Sequence, residues 1–176
     1  MIELTDFKNE WEQLFDDFRD KIFSNLSGIV KQIEHIGSTS IHDMKAKDII
    51  DVQIGISSFS IIDEVKSTLK SMNFEHIASI KQDHIPFHEF DYFERGWEKR
   101  FFKGVYNGQP FNVHVRILNN PNWKFALQFK KHLNGNDEAK YAFMQFKERL
   151  AGSGVSKHDY CLIKDSVIDL MSLHFN

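Results

Sequence analysis

One cysteine, Cys161, is all that this 176-residue sequence contains. It therefore has no partner for an intramolecular disulfide and points to a reducing compartment. In its helical surroundings the plain reading is a buried structural thiol. Proline is scarce too, at 3 residues against 17 phenylalanines, and 41% of the chain is apolar, a composition that excludes extensive disorder. No segment approaches the roughly 18 uninterrupted apolar residues that a membrane-spanning helix needs. Residues 1–18 alternate acidic and apolar side chains, without the basic start and apolar stretch of a secretory signal, so a cytoplasmic protein is expected. Positive charge is not in excess: 22 Lys and Arg face 25 Asp and Glu, which leaves nucleic acid only a local patch to bind. The phosphate loop Gly-x4-Gly-Lys-Ser/Thr, the dinucleotide fingerprint Gly-x-Gly-x2-Gly, the Gly-x-Ser-x-Gly elbow and paired-cysteine zinc spacings are all absent.

What is present fits one domain over residues 1–176, since the length fills one core and is short for two. Residues 6–26 place Trp11, Leu14, Phe15, Phe18, Ile22 and Phe23 at helical spacings of three and four. Runs 29–36 and 48–56 are rich in β-branched residues and predict two strands; residues 59–72 return to helical spacing. The pattern over 74–97 is poor, and Pro86 argues against His84 and His88 being two metal ligands on one helical face. Runs 98–106 and 109–118 flank Asn107-Gly108, a dipeptide suited to a type I′ hairpin turn. Helices are predicted at 123–133, 138–150 and 159–174, separated by Asn134-Gly135-Asn136 and Gly152-Ser153-Gly154. The basic residues of 124–149 lie among aromatics at core spacing and are expected to form a solvated face.

The informative stretch is His35-Ile36-Gly37-Ser38-Thr39-Ser40, followed by Lys47-Asp48-Ile49-Ile50-Asp51-Val52-Gln53-Ile54. A glycine at a tight strand exit lets backbone N–H groups approach an oxyanion, and neighbouring hydroxyls add donors. Gly37, Ser38 and Thr39 thus read either as a phosphate grip or as a turn in which Ser38 or Ser40 merely caps. The period of two puts Ile50, Val52 and Ile54 on one face and Asp51 and Gln53 on the other. Asp51 interrupts an apolar run, and a carboxylate there costs stability unless it is paired, solvated in a cleft or bound to metal. The later strand gives Phe111, Val113, Val115 and Ile117 to the core and Asn112, His114 and Arg116 to the other face. Lys47 and Arg116 are candidates to neutralise phosphate, with solvated cations as the alternative.

A Gly-Ser pair closing one strand, with a carboxylate inside an apolar strand about a dozen residues on, resembles the nucleotidyltransferase pattern. The wording Glu-His-Ile-Gly-Ser-Thr-Ser-Ile and Lys-x-Ile-Ile-Asp-Val, with Phe111-Asn112-Val113-His114-Val115, the helix near Trp123, and Tyr160 with Lys164, is similar to the GrpB branch of that superfamily. The resemblance spans about residues 33–164 and implies an α+β fold, a nucleotidyltransferase-like mixed β-sheet packed against helices with a C-terminal helical segment. If its strands are neighbours, Asp51, Gln53, Asn112, His114 and Arg116 share one polar surface, which His35 would join from the first strand.

It further implies a nucleotide or nucleotide-containing cofactor as ligand, with nucleotidyl transfer to an unknown acceptor. Asp51 is the catalytic candidate, and Asp51, Gln53 and His114 would hold Mg2+ or Mn2+. The sequence departs from the pattern at Gln53, where a second acid is usual, at Asn112, where GrpB-like sequences favour His-x-His, and at His42-Asp43, where Pro-Gly is common. One sure carboxylate makes a weak magnesium site, so the competing expectation is a non-catalytic nucleotide- or anion-binding module that works through a protein partner.

Overall fold

In the computed structural model, residues 2–86 and 96–175 are described; His88 lies outside them. Helix α1 (Glu10–Asn25) leads into strand β1 (Val30–Ile36), a 3-10 turn (Ser38–Ser40) and strand β2 (Ile50–Ile56). A second 3-10 turn (Phe59–Ile61) runs into helix α2 (Ile62–Ser71), followed by a two-residue strand β3 (Glu75–His76). Strands β4 (Arg100–Tyr106) and β5 (Gln109–Ile117) precede helices α3 (Pro121–Asn134), α4 (Asp137–Gly152) and α5 (Lys157–Ser172). Strand β3 falls in the stretch whose pattern is too poor to read, because a two-residue pairing leaves no period.

The five strands form one mixed sheet in the order β1-β2-β5-β4-β3. The β1–β2, β5–β4 and β4–β3 pairs are antiparallel, and β2 runs parallel to β5. Asn107 and Gly108 both have positive φ, 49° and 80°, as a type I′ turn requires. Helices α1 and α2 cover one face of the sheet. Trp11, Phe15, Phe18 and Ile22 of α1 and Val65 and Leu69 of α2 pack against Ile50, Val52, Ile54, Phe111, Val113 and Val115. Asp48 ties α1 to the start of β2, accepting from Lys8 Nζ at 2.6 Å and Trp11 Nε1 at 2.9 Å, and from Gln109 Nε2 at 3.0 Å.

The C-terminal helices lie on the other side. Phe129 and Leu133 of α3, Phe143 of α4 and Ile168 and Met171 of α5 form a second cluster with Ile41 and Met44 of the β1–β2 connection. In that connection Asp43 has φ 58°, so an aspartate takes the left-handed position usual for glycine. The β1–β2 connection and α3–α5 are thereby clamped over the polar half of the sheet. No helix among the described residues is long and apolar enough to cross a membrane.

Candidate functional site

The parallel β2–β5 pair is in register at Asp51↔Asn112 and Gln53↔His114, with Gly55 opposite Arg116. Pairing in register puts the polar members of both strands side by side on the face away from α1. Asn112 Nδ2 donates to Asp51 Oδ1 at 2.9 Å, and His114 Nε2 stands 3.6 Å from the same oxygen. Lys99 Nζ donates to His114 Nδ1 at 3.3 Å, so the remaining imidazole proton sits on Nε2, directed at the carboxylate. Burial, followed by the charge of Lys99, pushes the His114 pKa down to about 4 and keeps the ring neutral. Burial pushes Asp51 up, but His114, Asn112 and Lys164 outweigh it and hold the carboxyl below its ordinary value.

Gly37 explains why Asp51 can sit there. Its φ of 69° with ψ of −172° belongs to a backbone region that only glycine enters readily, and a Cβ at this position would lie 2.7 Å from Asp51 Oδ2. The glycine is required both by the turn and by the close approach of the carboxylate. In the turn it opens, Ser40 Oγ donates to Gly37 O at 2.8 Å, and Ser38 Oγ accepts from Lys147 Nζ at 3.0 Å. The Thr39 hydroxyl is turned away, 2.9 Å from His35 Nε2.

His35 does not join the polar surface. It is paired opposite Val52, and the neighbouring Ile36 opposite Asp51, so its ring points to the apolar side and stacks on Phe15 at 5.0 Å. Burial, then the charge of Lys130, pushes its pKa down to about 3. Gln53 and Arg116 are on the polar face but turned to each other. Arg116 Nη1 donates to Gln53 Oε1 at 2.6 Å, while its Nε and Nη2 each reach an Asp83 oxygen at 2.9 Å. Asp83 also accepts from Lys99 at 2.7 Å and Asn122 at 3.0 Å. With Gln53 fully buried and Arg116 only 5% exposed, the amide oxygen and the guanidinium are committed within the protein rather than presented to a ligand.

This decides how well the residues suit a divalent cation. Asp51 is the one carboxylate at the centre, its Oδ1 already holds an amide, Gln53 faces a guanidinium, and the third neighbour is an imidazole. Among the described residues no three His, Cys, Asp or Glu side chains converge on one point. The donor set does not fit magnesium, which takes oxygen ligands in near-ideal octahedral geometry.

The cleft above Asp51 is instead rich in lysine. A space of about 370 Å³ between the sheet and α4–α5 is lined by Gly37, Ser38, Thr39, Asp51, His114 and Tyr160 and by four lysines, Lys47, Lys99, Lys147 and Lys164, of which Lys99 is already paired with Asp83, against two carboxylates, Asp51 and Asp165. Lys47 Nζ lies 4.1 Å from the centroid of the Tyr160 ring. Lys147 is 2% exposed, and burial, then the charge of Lys164, pushes its pKa down to about 7. Its place in the cleft departs from the expected solvated face at this one position, whereas Lys124, Lys131 and Arg149 are exposed. The available signal was the spacing of Lys147, four residues after Phe143 and three before Leu150, inside the apolar stripe. Asp83 lies where the sequence has no readable period, and Lys99 lies in the 98–106 strand run, whose pattern does not show that it meets Asp83.

The GrpB family profile, described as GrpB protein, matches residues 1–172. The chain belongs to the GrpB family. Glutamate-rich protein GrpB of Alkalihalophilus pseudofirmus is 25% identical over 94% of this chain and 91% of that protein. The crystal structure of conserved protein GrpB from Enterococcus faecalis superposes with a TM-score of 0.74 at 22% identity, covering 94% of this chain and 92% of that one, a likeness of fold. Dephospho-CoA kinase of Mycobacterium tuberculosis is 31% identical over 66% of this chain but only 31% of its own length. This GrpB protein therefore spans about a third of the first curated relatives it matches.

Proposed function

We propose that this protein binds a nucleotide or nucleotide-containing cofactor by its phosphates, in the cleft between the Asp51 face of the sheet and helices α4 and α5. The observation that carries the reading is the excess of lysines over carboxylates around Gly37 and Ser38. Ammonium groups drawn partly out of water need anionic partners, and a phosphate chain supplies them. Lys47, Lys147 and Lys164 would neutralise phosphate, Ser38 would donate a hydroxyl hydrogen bond, and Asp51 with Asn112 and His114 would position a hydroxyl-bearing part of the ligand. The GrpB-like region of proteins named dephospho-CoA kinase supports a ligand of the nucleotide-containing class. The donor set around Asp51 favours binding over metal-assisted nucleotidyl transfer, so the reading is that of a binding module.

Thermal unfolding with ATP, CoA and dephospho-CoA at millimolar concentration tests this. At a hundredfold excess over Kd the folded state gains about 2.7 kcal/mol. For a chain of this length that raises Tm by about 5–10 °C. The shift is expected to be the same in EDTA as with magnesium or manganese. Equal shifts from inorganic phosphate would reduce the reading to simple anion binding, and no shift with any of the three would overturn it.

A further inference from the structure

Lys147 approaches the cleft from α4 with two of its hydrogens assigned. Nζ donates to Ser38 Oγ and, through a short contact, to the carbonyl oxygen of Lys45. A neutral amine has two N–H bonds, and these acceptors satisfy both; an ammonium adds a third N–H that needs an acceptor. Among the described residues that acceptor is not a carboxylate. Glu148, the next residue on α4, is held by Lys45 at 2.6 Å, and Asp165 of α5 stands 3.6 Å from Lys164. The other groups facing this end of the cleft are Lys47 of the β1–β2 connection, Lys164, Tyr160 and Cys161 of α5, the thiol being exposed and not buried as its surroundings suggest, Asp51 and His114 of the sheet, and Lys99 just before β4. Lys147 Nζ also lies over the face of Phe143, 5.4 Å from its ring centroid.

We propose that Lys147 is the specificity residue of this cleft: a terminal phosphate group seats against Ser38 and Lys147, and its arrival brings a proton onto the Lys147 amine. The inference rests on the phosphate-binding reading above and deepens it by naming the charge state of the ligand. A terminal phosphate brings nearly two negative charges at neutral pH, with several acceptor oxygens. One of those oxygens takes the third N–H, and the charge offsets the repulsion that Lys147, Lys47 and Lys164 exert on one another. A phosphodiester carries a single charge and compensates less of it. In the unliganded protein burial and the neighbouring lysines keep the Lys147 pKa near 7, against 10.5 for an ordinary lysine. An anion reverses that balance, so binding and protonation are linked, and affinity must fall as pH rises above the unliganded value.

Calorimetric titration of the intact protein with ATP at pH 8, in buffers of different ionisation enthalpy, reads this linkage directly. At that pH the terminal phosphate of ATP is already ionised, so protons drawn from the buffer go to the protein. About 0.9 proton should be taken up per ATP bound, given a pKa of about 7, and affinity should fall up to about tenfold per pH unit above 7. CoA, which carries a phosphate monoester on its ribose, should bind at least about tenfold more tightly than dephospho-CoA, which lacks it. Lys147→Arg, charged at every accessible pH, should bind ATP without proton uptake. ATP binding with no buffer dependence, or equal affinity for CoA and dephospho-CoA, would overturn the role of Lys147 and leave the nucleotide reading standing. No binding of ATP or CoA at either pH 6 or pH 8 would overturn both.

Discussion

Replacing Gly37 by alanine probes the contact on which the site is built. Two separate costs are expected. With φ at 69° and ψ at −172°, the backbone is in a region essentially reserved for glycine, which costs another residue about 1–3 kcal/mol. The new methyl group would meet Asp51 Oδ2 at 2.7 Å, Cβ at 3.0 Å and Cγ at 3.2 Å, so the carboxylate must move away from Asn112 and His114. Overpacking of this kind adds about 1–2 kcal/mol. A total near 3 kcal/mol corresponds to a Tm lower by about 6–12 °C in a chain of this size. The two terms separate in a double-mutant cycle with Asp51→Ala. That change removes Oδ2 and Cγ but leaves the backbone conformation, so Gly37→Ala should cost about 1–2 kcal/mol less in its background. Differential scanning fluorimetry and urea unfolding of the four proteins measure this. A Gly37→Ala protein that melts like the wild type, or a cycle that is simply additive, would refute the placement of Asp51 against the turn.

Asp83→Asn should be more damaging than its exposed loop neighbours suggest, because it strips the carboxylate from Arg116 and Lys99 and leaves two buried cations without it. The expected loss is about 3–5 kcal/mol in urea unfolding, and a loss under about 1 kcal/mol would show that the cations find other partners. Stability should also fall on mild acidification. Burial lowers His35 and His114 to about 3 and about 4 in the folded protein, whereas unfolded histidine titrates near 6.5. Between pH 6.5 and 4 the unfolded chain therefore binds protons that the folded one refuses. The stability present above pH 6.5 is lost as pH falls, by up to about 1.4 kcal/mol per pH unit for each histidine. Urea unfolding at pH 7, 6 and 5 measures the slope, and a flat profile would mean that both rings take up protons in the fold as readily as in the unfolded chain.

Local pattern determined most of the secondary structure. The alternation in 50–56 and 111–117 assigned Asp51, Asn112, His114 and Arg116 to the faces they occupy, and Asn107-Gly108 announced the hairpin, because side-chain direction and turn chemistry are properties of adjacent residues. Alternation says which way a side chain points, not what it meets. That β2 and β5, some 60 residues apart, run parallel in register, so that Asn112 holds Asp51 and Arg116 claims Gln53, was decided by tertiary pairing. His35 went to the opposite face because pairing across from Val52, not proximity to Gly37, sets its direction. Asp83 comes from a segment with too little period to be read and Lys99 from a strand run whose pattern does not name its partner, and only the fold brings them to Arg116. Lys147 shows the same division: its spacing on α4 marked an inward-facing position, but the packing of α4 over the Ser38 turn is what turned a buried lysine into a wall of the cleft.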